Sequence, residues 1–208
     1  MALRASAICA LLLVLAAGCG GKSSSEGSSS TGESGVCAQF GDVAAPRETK
    51  APWSAPGDPM ALTCAAGLIP EKAEFLQYHV HAHLDVFVDG ATVAVPAGLG
   101  INVGPDGQAP PHGAPGIAPL HTHDESGVLH IEAPKDAKFT LGQVFTEWGV
   151  ALDSDHVGAY PVNEVVVDGK PYDGDPARVV LSAHEEIAVV AGTGTVDPPS
   201  SYAFPAGE

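Results

Sequence analysis

Tyr78-His79-Val80-His81-Ala82-His83-Leu84-Asp85-Val86-Phe87-Val88 is the stretch on which the fold turns. Apolar and polar residues alternate along it, and a period of two marks a strand with two unlike faces. Val80, Ala82, Leu84, Val86 and Val88 make a dry face, while His79, His81, His83, Asp85 and Phe87 make the other. Asp89-Gly90 follows as a tight-turn pair, and Ala91 to Pro96 returns as the hairpin partner. Gly98 to Pro119 is dense in Gly and Pro, so it reads as a long surface loop with a short strand at Leu99 to Val103. Leu120 to His123 and Gly127 to Ala133 then flank a turn at Asp124-Glu125-Ser126. In the second of these strands Leu129 and Ile131 face the core, and His130 and Glu132 face away.

Phe139 to Gly149 is the one helix the pattern predicts. Thr140 and Gln143 make a capping box, Phe139 and Val144 are placed for a hydrophobic staple, and Gly149 closes the last turn. Leu141, Val144, Phe145 and Trp148 fall on one apolar stripe. Val162 to Val167 reads as a strand ending in a turn at Asp168-Gly169, and Val179 to Leu181 and Ile187 to Ala191 as short strands. The expected fold class is α+β: a single β-rich domain over residues 75–192 with one crossing helix, followed by a flexible tail at 193–208.

Towards the N-terminus the composition changes. Arg4 precedes an apolar run from Ala5 to Ala17, about 13 residues, which suits a signal peptide over residues 1–18 and falls short of a bilayer span. The run ends in Leu15-Ala16-Ala17-Gly18-Cys19, which resembles a bacterial lipobox, although Ala16 stands where Leu is favoured. Cys19 is the expected lipidation site. Residues 19–35 are a Gly/Ser linker that buries too little apolar surface to fold and serves as a tether. Residues 36–74 are expected to be loop-rich, with Cys37 and Cys64 joined as a disulfide, since an exported chain meets an oxidising compartment. The implied location is the cell envelope, with the chain lipid-anchored on the extracytoplasmic side of a membrane and an envelope protein as a possible partner.

The chain has 208 residues, Lys+Arg 9 against Asp+Glu 25 and a formal net charge of −16, with no basic cluster. Such a surface repels phosphate backbones, which excludes nucleic acid as a partner, and it attracts cations. Histidine is the residue that answers to cations here. Alternate residues on a strand lie roughly 6.5–7 Å apart, so two imidazoles on one face can converge on an ion at about 2.0–2.1 Å. His81 and His83 form one such pair and His121 and His123 a second, with His79 and His130 as further candidate ligands. Asp85, Asp124 and Glu132 are the candidate auxiliary ligands or acceptors that orient imidazoles. His112, His156 and His184 stand alone and read as solvated or turn residues.

Imidazole with carboxylate suits Zn or Cu, because the chain offers no thioether or free-thiolate cluster. Ligand imidazoles must be neutral, so binding is expected to weaken below about pH 6. Sequence signatures of metallo-β-lactamase-type, cupin, zincin, serine-hydrolase and P-loop sites fail at required positions. No nucleophile is nominated. Three readings remain open: capture, buffering or delivery of a divalent transition metal; a metal-dependent hydrolase or oxidoreductase on the same histidines; and a structural or partner-binding lipoprotein with no metal.

Two resemblances follow from these blocks. The segment from His121 to Ala191 (hairpin, capped helix, VVVDG strand and final EEIAVV strand) is similar to β-grasp proteins of the ubiquitin and sulfur-carrier type. A sulfur carrier also needs a C-terminal Gly-Gly, where this sequence has Ala206-Gly207-Glu208, so the resemblance implies a β-grasp-like C-terminal half and not the activity. Over Phe75 to Gly192, YHVHAHLDVFVDG, PLHTHDESGVLHIEAP and FTLGQVFTEWGV resemble blocks shared by a poorly characterised group of bacterial envelope lipoproteins. That likeness implies that the histidine blocks belong together and implies no reaction.

Overall fold

The structure, a computed structural model, describes residues 33–41, 43–102 and 116–207. The expected signal peptide, Cys19, most of the Gly/Ser tether and His112 lie outside the described residues. The helices are α1 (Glu33–Cys37), α2 (Pro59–Ala65) and α3 (Leu141–Trp148). The strands are β1 (Tyr78–Val88), β2 (Ala91–Val93), β3 (Leu120–His121), β4 (Val128–Ala133), β5 (His156–Val157), β6 (Tyr160–Val167), β7 (Lys170–Pro171) and β8 (Glu186–Ala191). They form a mixed sheet in the order β3-β4-β1-β8-β6-β5, with β2 attached to β1 and β7 to β6. A β-rich α+β domain is therefore what the sequence builds.

β1 is the spine of this sheet, and its two halves have different neighbours. Residues 78–83 pair antiparallel with β4, residues 83–88 pair parallel with β8, and residues 86–88 also hold β2. A parallel partner requires a long crossover, which the chain supplies between β1 and β8 with α3 inside it. Ala82, Leu84 and Val86 of β1, Leu129 and Ile131 of β4, Ile187 and Val189 of β8, and Leu141, Val144, Phe145 and Trp148 of α3 pack into one core. β4 and β8 meet only through β1. Residues 121–191 thus do not close a sheet by themselves, and a β-grasp-like C-terminal half is not a separate unit.

α3 is capped as expected: the Thr140–Gln143 box is present, and Gly149 takes a left-handed φ of 67°. The expected strand at Val179 to Leu181 is instead the exit from a 3-10 turn at Pro176–Arg178, with Val180 making a single bridge to Thr140. Pro176 sets the turn, and only the two flanking side chains, Val179 and Leu181, are buried.

Residues 36–74 are mostly irregular, with one short helix, and they pack against α3. Asp58 caps α2, whose first residue is Pro59, and the Cys37–Cys64 disulfide is formed. Trp53 is buried and meets Trp148 edge-on at 5.7 Å, and the Trp148 indole N–H donates to the Trp53 carbonyl at 3.1 Å. Arg47 sets its guanidinium on the Trp148 and Gly149 carbonyls, a cation at the negative end of α3. The Thr63 hydroxyl donates to Glu147 at 2.9 Å, and burial pushes that carboxyl well above its ordinary range. α3 is thus held from its second side by polar contacts, Thr63 to Glu147 and Gln143 to the Ala66 carbonyl, together with Trp53.

The segment expected as a tail is irregular and mostly exposed, and a few of its residues touch the domain. Thr193 donates its backbone N–H and hydroxyl to Asp89, and Tyr202 lies on the ring of His83 with centroids 3.8 Å apart and planes 7° apart.

Candidate metal centre

Strand parity and sheet order together assemble the site. In register, His79 faces Glu132, His81 faces His130, and His121 faces His130 from the far side of β4. All five therefore project from the face of the sheet opposite α3. His79 Nε2 lies 3.0 Å from His81 Nε2, which lies 3.1 Å from His130 Nδ1. Glu132 Oε1 sits 3.3 Å from His79 Nε2 and 3.8 Å from both His121 Nε2 and His130 Nδ1. His123, just past β3, brings Nε2 to 3.7 Å from Glu74. Three overlapping groups result, each with donor atoms within 4.8 Å of one another: His79–His81–His130, His121–His123–His130 and Glu74–His121–Glu132.

His121 reveals the chemistry most directly. Its Nδ1 is 2.9 Å from the Ala118 carbonyl, which can only accept, so Nδ1 carries the proton. Nε2 is left as a lone pair, and it is buried with no hydrogen-bond partner. Glu132 Oε2 is buried and unpartnered as well. Desolvated polar atoms of this kind cost about 1–3 kcal/mol each, and a cation held between them removes that penalty. A carbonyl that fixes the tautomer of an imidazole is also how proteins orient a metal ligand.

Electrostatics prepare the same state. Burial, with the neighbouring His79, His184 and His123, pushes His81 down to about 4. Burial likewise carries His121 to about 4 against the pull of the Ala118 carbonyl, and burial with four surrounding histidines carries His130 to about 3. These imidazoles are neutral at neutral pH and ready to donate. Burial and the charge of Glu74 push Glu132 up to about 7, against the Phe75 N–H. That carboxyl gains from any positive charge placed beside it.

His83 belongs to a different environment, although it shares the face of His81. Its Nε2 is 2.8 Å from the Ser126 carbonyl and its Nδ1 2.8 Å from Glu186 Oε2. The first nitrogen donates to a carbonyl and the second shares a proton with a carboxyl, so no lone pair is left for an ion. Burial works against the charge, but the Glu186 carboxylate, the Ser126 carbonyl and Asp85 outweigh it and hold the imidazole above its ordinary range. Gly127 makes this approach possible: at a φ of 88°, an added Cβ would stand 2.6 Å from the Leu84 carbonyl and 2.9 Å from His83 Nε2. Asp85 lies with His83 and Glu186 and away from the three groups above. Asp124 is exposed and accepts the Ser126 N–H at 2.8 Å, bracing the turn. The structure therefore gathers His79, His81, His121, His123, His130 and Glu132, sets His83 and Asp85 in a separate group with Glu186 whose donor atoms also lie within 4.8 Å of one another, and leaves Asp124 in neither.

His156 is exposed beside Asp153, and His184 takes a left-handed φ of 57° in the turn before β8 while its N–H donates to the His81 carbonyl. Four participants had no signal of their own in the sequence: Glu74, the Ala118 carbonyl, Glu186 and Tyr202. Glu186 had the nearest to one, since period two along β8 puts an acid at its start on the histidine face.

No family model matches the chain, and no curated protein or solved structure does. The geometry of the residues therefore carries the functional reading alone. Among the described residues no helix is long and apolar enough to cross a membrane.

Proposed function

We propose that this protein binds a divalent transition metal, Zn²⁺ or Cu²⁺, on the histidine face of its sheet, and captures, buffers or delivers it at the cell envelope. The observation that carries the reading is His121: a fully buried imidazole whose proton is held by the Ala118 carbonyl, whose Nε2 lone pair is unpartnered, and which groups with His123 and His130 and with Glu74 and Glu132. The donors are nitrogen and oxygen, which suits these two ions above harder or softer ones. The export-type N-terminus, the lipobox-like Cys19 and the resemblance to envelope lipoproteins support an anchored, extracytoplasmic setting, in which the acidic chain concentrates cations near the site.

The test is elemental analysis of the full chain, expressed without a histidine tag, followed by calorimetric titration with Zn²⁺ and Cu²⁺. The expected result is a bound ion with micromolar or tighter affinity, about 8 kcal/mol or more, lost in His121→Ala. A metal-free protein that gives no heat with either ion sinks the reading. The anchor is tested apart from it: Cys19→Ser should move the chain from the membrane fraction to the soluble one.

A further inference from the structure

We propose that the histidine face holds two divalent ions, one on each side of His130, with Glu132 between them. The inference rests on the metal-binding reading above and adds its stoichiometry and arrangement. Its first support is the sheet order. The two His-x-His pairs lie on β1 and on β3 with its following residue, and β4 runs between those strands. Neighbouring strands are about 4.8 Å apart, which leaves the two pairs on either side of β4 rather than opposite one another.

His130 is the imidazole common to both groups. His79 and His81 come within ligand spacing of it from one side, and His121 and His123 from the other. The ring contacts repeat the division: His81 and His123 each meet His130 edge-on with centroids 4.4 Å apart, while His79 is 6.1 Å from it.

The second support is what a single ion would leave behind. A tetrahedral site uses four donors, and the cluster offers five imidazoles and the carboxylates of Glu132 and Glu74. An ion on the β1 side, held by His79, His81 and His130, leaves His121 Nε2 buried without a partner. An ion on the β3 side, held by His121, His123 and His130, leaves His79 and His81, a hydrogen-bonded pair at 3.0 Å, as a second set of donors beside it. Neutral His130 has one lone pair and serves one ion, so with both sides filled it joins His79 and His81, while His121 and His123 share the second ion with the carboxylates of Glu74 and Glu132. Glu132 is placed to serve the two together, since Oε1 is 3.3 Å from His79 Nε2 and 3.8 Å from His121 Nε2, and Oε2 is buried and unused. Its single negative charge then neutralises part of both ions where solvent does not reach.

The experiment is native mass spectrometry of the untagged full chain during stepwise addition of Zn²⁺, repeated with His79→Ala and His123→Ala. Both side chains are partly open to solvent, 32% and 46%, so their removal leaves the fold intact. The unaltered chain is expected to saturate at two ions and each variant at one, with affinity for the lost ion reduced at least a hundredfold. Loading with Cu²⁺ adds an independent reading: two ions this close broaden each other's paramagnetic resonance, and the broadening disappears in either variant. Saturation of the unaltered chain at one ion, or two ions retained in His123→Ala, overturns the two-ion arrangement and leaves the metal reading standing. Absence of any bound ion overturns both.

Discussion

His81 and His83 are two residues apart on one strand, point from the same face and are equally buried, yet they have opposite chemistry. His81 meets other imidazoles rather than a carboxylate and, buried, stays neutral. His83 is clasped between a carboxyl and a carbonyl and is stabilised as the charged form. The difference comes from the neighbouring strand. β1 changes partners at His83, from β4, which supplies His130, to β8, which supplies Glu186. A histidine repeat on a strand thus states where imidazoles will be and leaves their role to whatever lies across the hydrogen-bond ladder.

The sharpest way to break this comparison is to remove each member in turn. His83→Ala should leave Glu186 buried without its partner and cost about 3–5 kcal/mol of stability in a denaturant titration, with metal affinity changed by no more than a fewfold. A large loss of metal binding with little change in stability would put His83 among the ligands. His130→Ala should do the reverse, lowering Zn²⁺ affinity at least a hundredfold, or about 2.7 kcal/mol, while the metal-free protein keeps its stability or gains some.

Acid should separate the two ends as well. Below pH 6.5 the unfolded chain takes up protons on His81, His121 and His130, whereas the folded chain holds them off until about 4, 4 and 3. More protons on the unfolded state means that metal-free stability falls as pH drops through that window. His83 has the opposite slope: its raised value adds stability that is complete below 6.5 and is lost as pH rises through the folded value. Thermal melts of His130→Ala should show a flatter acid limb, and those of His83→Ala a flatter alkaline one. Metal binding should weaken already from about pH 7 downward, because the proton to be displaced is that of Glu132, pushed up to about 7, rather than one on an imidazole. The expected slope is about tenfold per pH unit. The smallest effect is expected at the tail, where Tyr202→Ala removes one stacked ring from His83 and should cost about 1 kcal/mol without altering the metal site.

Much of this arrangement was legible in the residues. The alternation from Tyr78 to Val88 placed β1 and both its faces, the Thr140–Gln143 box placed the start of α3, and the pair Cys37 and Cys64 foretold the disulfide. Three things were not. Local pattern cannot say which strand lies beside which, so the choice between His81 and His83 as ligand was out of reach, as was the arrival of Glu74 and Glu186. Burial of Trp53 and Met60 was hidden by the surrounding Pro and Gly, because Trp53 meets Trp148 across a long stretch of chain that no periodicity announces. The tail had the same difficulty, since a single stacked Tyr202 leaves no repeating signal.

The Cys37–Cys64 bridge fixes α1 to α2, and Thr63 of α2 bonds to Glu147 of α3. Any pull arriving through the N-terminus is therefore taken by a covalent rivet and a layer of tryptophans, on the side away from the histidines.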